Sequence, residues 1–143
     1  MIPVVAVLEG ALDGPGIRAA AQDACAGAVV VFEGCARNHH RGRGVEELAY
    51  EAYGPMAEAV LSELREEAMK RFGLCACVVH HRVGTVPIGE AAVIVAASSP
   101  HRREAFEAAM WIMDRIKERA PIWKKERYVE GGAAWVEGET RRD

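Results

Sequence analysis

The sequence predicts an α+β fold in which much of the sheet is antiparallel. Three observations support this prediction. The chain has 143 residues, half of them apolar, which is the size of one domain (residues 1–143) with its own core. About six short apolar runs have the length and β-branched content of strands, and three further segments have helical features.

The N-terminal quarter is predicted to contain two strands and a short helix. Residues 2–8 form an apolar run, and Pro3 suits the start of an edge strand. Residues 13–24 are expected to be helical, because Pro15 is tolerated in a first helical turn. Residues 28–34 form a continuous apolar run that is typical of a buried strand.

The middle of the chain predicts a loop, a strand and a long helix. Residues 38–44 have no periodicity and two glycines, so a mobile loop is expected. Residues 45–53 alternate as a strand does. From Pro55 to Phe72, apolar residues recur every four positions, which indicates a helix that ends near Gly73.

The C-terminal half predicts a near-hairpin, a helix and two final strands. Residues 74–82 and 91–97 are apolar runs that are joined through a glycine-containing connection. Ser98, Ser99 and Pro100 then provide cap and first-turn residues for a helix that reaches about residue 119. Residues 122–129 and 133–137 are expected to close the chain as strands.

The charge distribution is uneven. The net charge is -3 and the isoelectric point is near 6.0, yet ten of the 18 Lys and Arg residues lie in three short pieces. They are Arg37, Arg41 and Arg43; Arg102 and Arg103; and Lys117, Arg119, Lys124, Lys125 and Arg127. If the fold brings these pieces together, the partner is a compact anion, whereas a nucleic-acid face would more often belong to a basic domain.

Two lysines lie on either side of a proline that ends a helix. Because Pro121 cannot continue the helix, Lys117 should lie in its last turn and Lys124 on the following strand. The two ammonium groups could then face one point, where neighbouring like charges lower each other's proton affinity and suit acid, base or oxyanion roles. A basic surface corner is the alternative interpretation of this spacing.

Two further cationic positions could bind an anion. His101 and Arg102 lie at the start of a predicted helix, where unpaired N–H groups attract negative charge. Arg37 follows a buried strand, so its guanidinium would be held in a fixed position and could bind phosphate or carboxylate through two hydrogen bonds.

The four cysteines are expected to be reduced packing residues, because no secretory signal precedes them. Cys75 and Cys77 share a strand face with His81, but a closed zinc site requires a fourth ligand, and no metal is predicted. No apolar run reaches the length of a membrane span. The sequence therefore predicts a cytoplasmic protein with no membrane partner.

Five motifs occur in an order that resembles the large, catalytic subunit of molybdopterin synthase, the MoaE family. They are Phe32-Glu33-Gly34-Cys35-Ala36-Arg37-Asn38, Tyr50-Glu51-Ala52-Tyr53-Gly54-Pro55-Met56-Ala57-Glu58, His81-Arg82-Val83-Gly84, Ser98-Ser99-Pro100-His101-Arg102 and Ala120-Pro121-Ile122-Trp123-Lys124-Lys125-Glu126. The resemblance extends from about Gly27 to Glu137.

The resemblance implies an α/β-hammerhead fold with an additional antiparallel subdomain. It implies a central homodimer, each end of which binds a small ubiquitin-like sulfur carrier to give a heterotetramer. The C-terminal Gly-Gly thiocarboxylate of the carrier would supply sulfur to cyclic pyranopterin monophosphate, forming the dithiolene of molybdopterin. No cofactor of the chain's own is implied.

The resemblance also assigns site residues. Lys117 and Lys124 correspond to the catalytic lysines, which would stabilise an oxyanion and move protons. The residues expected to bind or line the substrate site are Cys35, Ala36, Arg37, His101, Arg102, Lys117, Lys124, Lys125 and Glu126. His101 and Arg102 would act across the dimer interface.

Two other classes of function remain as alternatives. A non-catalytic module could use the same cations to capture a peptide C-terminus or a phosphorylated ligand. RNA binding through the sheet is less consistent with the sequence, because aromatic residues make up only 6% of it and no base-stacking strand motif is present.

Overall fold

The computed structural model describes residues 2–136 of the chain. The elements are β1 (Val5–Glu9), α1 (Gly14–Ala20), β2 (Ala28–Cys35), β3 (His39–His40), β4 (Arg43–Ala52), α2 (Gly54–Phe72), β5 (Ala76–Val86), β6 (Ala91–Ser99), α3 (Arg102–Arg119), β7 (Ile122–Tyr128) and β8 (Ala133–Val136). The mixed α+β class is confirmed. The predicted last residue of the final strand, Glu137, lies outside the described residues.

The sheet has two parts that share the long strand β5. In the first part, β2, β6 and β5 are antiparallel neighbours, and β1 pairs with β5 in parallel. In the second part, the end of β5 pairs with β4, which pairs in turn with β7, and β7 with β8, all antiparallel. Gly84 has a φ of 83°, a left-handed value that favours glycine, where β5 begins to pair with β4.

The first part of the sheet is covered on both faces, because successive strand residues point to opposite sides. Val79 and Val95 pack with α2 and α3 in one core cluster. Val78 and Ile94 pack with Ile17 of α1 in another. None of the helices within residues 2–136 is long and apolar enough to cross a membrane.

Two predicted helix boundaries differ from the structure. Helix α1 ends at Ala20 instead of continuing to residue 24, because the Asp23 side chain accepts a hydrogen bond from the Cys25 amide at 2.9 Å and turns the chain. Helix α3 is preceded by His101 as its N-cap, and the Ser99 hydroxyl donates to the His101 carbonyl instead of capping the helix. Helix α2 ends at Phe72 as predicted, with Gly73 in the left-handed conformation at a φ of 61°.

The prediction of a loop without regular structure over residues 38–44 is wrong. His39 and His40 pair with Gly44 and Arg43 in a tight hairpin. The two turn residues, Arg41 and Gly42, have φ values of 52° and 80°, as a two-residue hairpin turn of the primed type requires. Gly42 is therefore part of a defined turn and is not a sign of mobility.

The prediction of four reduced cysteines is also wrong, because Cys25 and Cys75 form a disulfide. The Cys75 amide donates to the Ser98 carbonyl, and the Gly27 amide donates to the Ser99 carbonyl. The end of β6 therefore holds both segments side by side, although 50 residues separate the two cysteines in the sequence. Only Cys35 and Cys77 are free thiols in the described part of the chain.

Candidate active site

A cavity of about 240 Å³ lies where the two parts of the sheet meet the C-terminal end of α3. Strands β2, β4, β5, β6 and β7 contribute to its walls together with the last turns of α3. Its polar lining includes Arg37, Lys117, Lys124 and Glu126. Phe32, Met113 and Ile116 contribute apolar wall.

The predicted arrangement of the two lysines around Pro121 is observed. Lys117 lies in the last turn of α3, and the extended conformation of Ala120, with a ψ of 133°, directs the chain into β7. The Pro121 carbonyl accepts a hydrogen bond from the Tyr53 amide at 3.1 Å, which fixes this turn against the start of α2. Lys117 is exposed and Lys124 is buried, and both line the cavity.

Successive side chains of β7 point to opposite faces of the sheet, and this decides which of them reach the cavity. Lys124, Glu126 and Tyr128 are buried, whereas the intervening residues are exposed. Lys125 therefore lies on the opposite face, where its Nζ is 5.7 Å from the centre of the Trp135 ring. Lys125 therefore does not line this cavity in a single copy of the chain, because neighbouring strand residues point to opposite faces, and its contact with substrate stays a prediction.

Glu126 is a buried carboxylate with several polar neighbours. Its Oε1 accepts hydrogen bonds from His40 Nδ1 at 2.9 Å and from the Tyr128 hydroxyl at 3.1 Å. Its Oε2 is 4.0 Å from Lys124 Nζ. Burial raises the pKa of Tyr128, and the hydrogen bond to Glu126 raises it further, so this phenol remains a donor at neutral pH.

The end of β2 places two of its three predicted residues at the cavity. The pairing of β2 with β6 shifts register between Gly34 and Cys35. Cys35 and Arg37 both line the cavity, and both are exposed at its opening. Ala36 is 3% exposed and packs into the core of the second sheet part, and its side chain does not line this cavity.

His101 and Arg102 are not brought to this cavity within the chain. They lie at the start of α3, whereas Lys117 lies near its end. At 1.5 Å per residue, the 15 positions from Arg102 to Lys117 correspond to about 22 Å along the helix. Any contribution of His101 and Arg102 to a cavity of this kind must come from a second copy of the chain.

Sequence reasoning missed His81 and Tyr50 as cavity residues. His81 is 4% exposed, and burial lowers its pKa to about 4, so the imidazole is neutral near pH 7. Its Nδ1 is 2.8 Å from the Arg82 carbonyl and must donate to it, which leaves Nε2 as an acceptor. The Tyr50 ring lies edge-on to His81 at 5.2 Å between centroids. Each is the first residue of one of the five motifs that carry the family resemblance, and this is the signal in the sequence that could have identified them.

The metal interpretation of Cys75, Cys77 and His81 gains no support. Cys75 is bonded to Cys25, and Cys77 is buried in the core beneath the helices, where burial raises the pKa of its thiol to about 12. Within residues 2–136, one group has metal-ligand spacing, Asp23 with Cys25 and Cys75, and two of its three donors are the disulfide sulfurs.

The cavity therefore combines fixed positive charge with a neutral imidazole. Arg37, Lys117 and Lys124 suit an anionic substrate, and the two ammonium groups can stabilise negative charge that develops during a reaction. Lys124 has the better fixed position, because it is buried beside a carboxylate.

Comparison with known proteins identifies a family to which this chain is similar. The MoaE protein family model matches residues 9–119. The molybdopterin synthase catalytic subunit of Pyrococcus abyssi is 43% identical over 113 residues, which are 79% of this chain and 76% of that protein. The corresponding subunit of Oryza sativa subsp. indica is 48% identical over 116 residues, 81% of this chain and 60% of that protein.

Comparison of the fold with solved structures identifies the same group of proteins. The crystal structure of molybdopterin synthase from Staphylococcus aureus superposes with a TM-score of 0.89 at 36% sequence identity, covering 95% of this chain and 98% of that chain. With the family model, the relatives and the shared fold in agreement, this chain belongs to the MoaE family.

Proposed function

We propose that this chain is the catalytic subunit of a molybdopterin synthase. It transfers sulfur from the C-terminal thiocarboxylate of a small ubiquitin-like carrier subunit to cyclic pyranopterin monophosphate, and it thereby forms the dithiolene of molybdopterin. The observation that carries the proposal is the convergence of Lys117 and Lys124, from either side of Pro121, on one cavity that also holds Arg37.

The cavity residues suit the two halves of each transfer. The carrier sulfur first forms a bond to a pterin side-chain carbon while a carbon–oxygen bond at that carbon breaks and its oxygen leaves with a proton. Water then cleaves the bond between this sulfur and the carrier's acyl carbon. This hydrolysis passes through a tetrahedral oxyanion, leaves a carboxylate on the carrier and leaves the sulfur on the pterin. Lys117 and Lys124 stabilise the oxyanion and move the protons.

The substrate phosphate is held by cations from two copies of the chain. Arg37 of one copy binds it from the end of β2, and His101 and Arg102 of the second copy bind it from the start of α3. This arrangement requires the homodimer. With one carrier bound at each end, the assembly is a heterotetramer.

The remaining properties follow from this role. The chain acts in the cytoplasm as one domain, without nucleic acid, membrane or a resident cofactor. The two-part sheet fits an α/β-hammerhead, built on β1, β2, β5 and β6, with an antiparallel subdomain of β4, β7 and β8.

A reconstituted reaction tests the proposal. Purified chain, thiocarboxylated carrier and cyclic pyranopterin monophosphate should yield dithiolene product, measured after conversion to a fluorescent pterin. Lys117→Ala should lower the rate by at least about a hundredfold, since oxyanion stabilisation contributes factors of that size. Lys70→Ala removes an exposed charge from α2 and serves as the control.

Two results would contradict the proposal. Normal turnover by folded Lys117→Ala would remove the catalytic role of this lysine. Tight binding of the carrier tail without any turnover by the unmodified chain would instead favour the non-catalytic peptide-binding module.

A further inference from the structure

Glu126 has its two carboxylate oxygens in different surroundings. Oε1 accepts hydrogen bonds from His40 and Tyr128, at 2.9 and 3.1 Å. Oε2 lies on the side of Lys124, at 4.0 Å from its Nζ. A carboxylate that is 2% exposed needs such partners, because burying an unpaired charge costs several kcal/mol. The two donors on Oε1 leave Oε2 directed at the lysine.

The hydrogen bond between His40 and Glu126 fixes which atom carries the proton. An ionised carboxylate accepts hydrogen bonds and cannot donate them, so Nδ1 of His40 carries the proton. The ring is 6% exposed, and its Nε2 has no hydrogen-bond partner within the described part of the chain. The contact to Glu126 therefore determines how this imidazole is oriented.

The β3–β4 hairpin brings His40 to Glu126 across 86 residues of sequence. The turn at Arg41 and Gly42 aligns His40 with Arg43. The Arg43 guanidinium lies 3.5 Å from the centre of the Tyr128 ring and so covers the second donor to Glu126. The hairpin thus supports both hydrogen bonds that hold the carboxylate.

We propose that His40 is a positioning residue for the transfer reaction: by fixing Glu126, it holds the Lys124 ammonium at the reacting centre. This inference rests on the proposed function, because Lys124 must act in the reaction. His40 does not line the cavity. Its effect is transmitted through one hydrogen bond to Glu126 and one ion pair to Lys124.

Two isosteric substitutions separate positioning from packing. In His40→Asn the amide nitrogen takes the place of Nδ1 and can still donate to Glu126, whereas in His40→Gln it takes the place of Nε2 and cannot. We expect His40→Asn to keep kcat within about threefold of the unmodified chain. His40→Gln should lower kcat about tenfold, the usual effect of losing one hydrogen bond to a charged group, with little change in KM for the cyclic pterin.

The controls use the same assembly of chain, carrier and pterin. His39→Gln changes the exposed neighbour on β3 and should leave kcat unchanged. Melting temperatures measured for every variant separate lost positioning from lost folding. The double variant His40→Gln with Glu126→Gln should lower kcat by a factor clearly smaller than the product of the two single-variant factors, because both changes act on the same contact.

The inference is overturned if His40→Gln, folded and carrier-bound, turns over as fast as His40→Asn. It is also overturned if the effects of His40→Gln and Glu126→Gln multiply. The unmodified chain in the same assay keeps the two proposals distinguishable. If it yields no dithiolene product, the proposed function fails, whereas equal rates for the two His40 variants beside an active unmodified chain reject only the role of His40.

Discussion

The His81 side chain has a lower proton affinity than an exposed imidazole because it is buried in the cavity wall. Burial lowers its pKa from 6.5 to about 4, and the Nδ1 contact to the Arg82 carbonyl offsets part of this effect. Below pH 6.5 the unfolded chain therefore takes up a proton at His81 that the folded chain does not bind. The folded state loses stability as the pH falls from about 6.5 to about 4, and above 6.5 the contribution is fully present.

This predicts a measurable pH dependence of stability. Between pH 6.5 and 4 the unmodified chain should lose about 3 kcal/mol more unfolding free energy than His81→Asn, whose amide can replace the Nδ1 donor but does not titrate. Urea unfolding at several pH values measures the difference, with His39→Asn as an exposed control. Equal pH slopes for the unmodified chain and His81→Asn would show that His81 is not buried in neutral form.

Among the individual residues, the sequence predicted those whose side-chain positions are set by their neighbours in the sequence. Arg37, Lys117 and Lys124 were found because a strand end and a helix-ending proline fix where their side chains point. His40 and His81 were not, because their roles depend on burial and on partners that are distant in sequence. Glu126, the partner of His40, is 86 residues away from it.

Among the elements, the Cys25–Cys75 disulfide joins the segment after α1 to the start of β5. A bridge that closes a loop of 50 residues restricts the unfolded chain, and loop-closure estimates give about 4 kcal/mol as its upper contribution. We expect the double variant Cys25→Ser with Cys75→Ser to unfold at a lower urea concentration. Dithiothreitol should destabilise the unmodified chain to a similar extent and leave the variant unaffected, and an unchanged midpoint after complete reduction would contradict this.

The elements themselves were largely predictable, because their sequence patterns are local. The apolar recurrence in α2 and the continuous apolar runs of β2, β5 and β6 each identify one element. The hairpin at residues 39–44 was missed because β3 has only two residues, too few to show an alternating pattern. The disulfide was missed because it depends on β6 aligning two distant segments, which only the assembled sheet reveals.

In the whole molecule, α3 separates two groups of cations by its length. Lys117 lies at a cavity near the end of the helix, whereas His101 and Arg102 lie at its start, about 22 Å away. One chain therefore cannot use both groups on one small substrate. In the proposed two-fold symmetric dimer, each helix start would serve the other copy's cavity, and the two resulting sites would be equivalent.

This geometry predicts that two inactive variants restore each other. Lys117→Ala lacks the lysine of its own cavity, and Arg102→Ala lacks the cation given to its neighbour. A mixed dimer has one site with both defects and one site with neither. After random subunit exchange, half of the dimers are mixed, so roughly a quarter of the unmodified activity should return. The restored activity is measured in a reaction that contains carrier, cyclic pterin and equal amounts of the two variants. Each variant alone serves as the control. If mixed dimers form and no activity returns, Arg102 does not serve the neighbouring cavity.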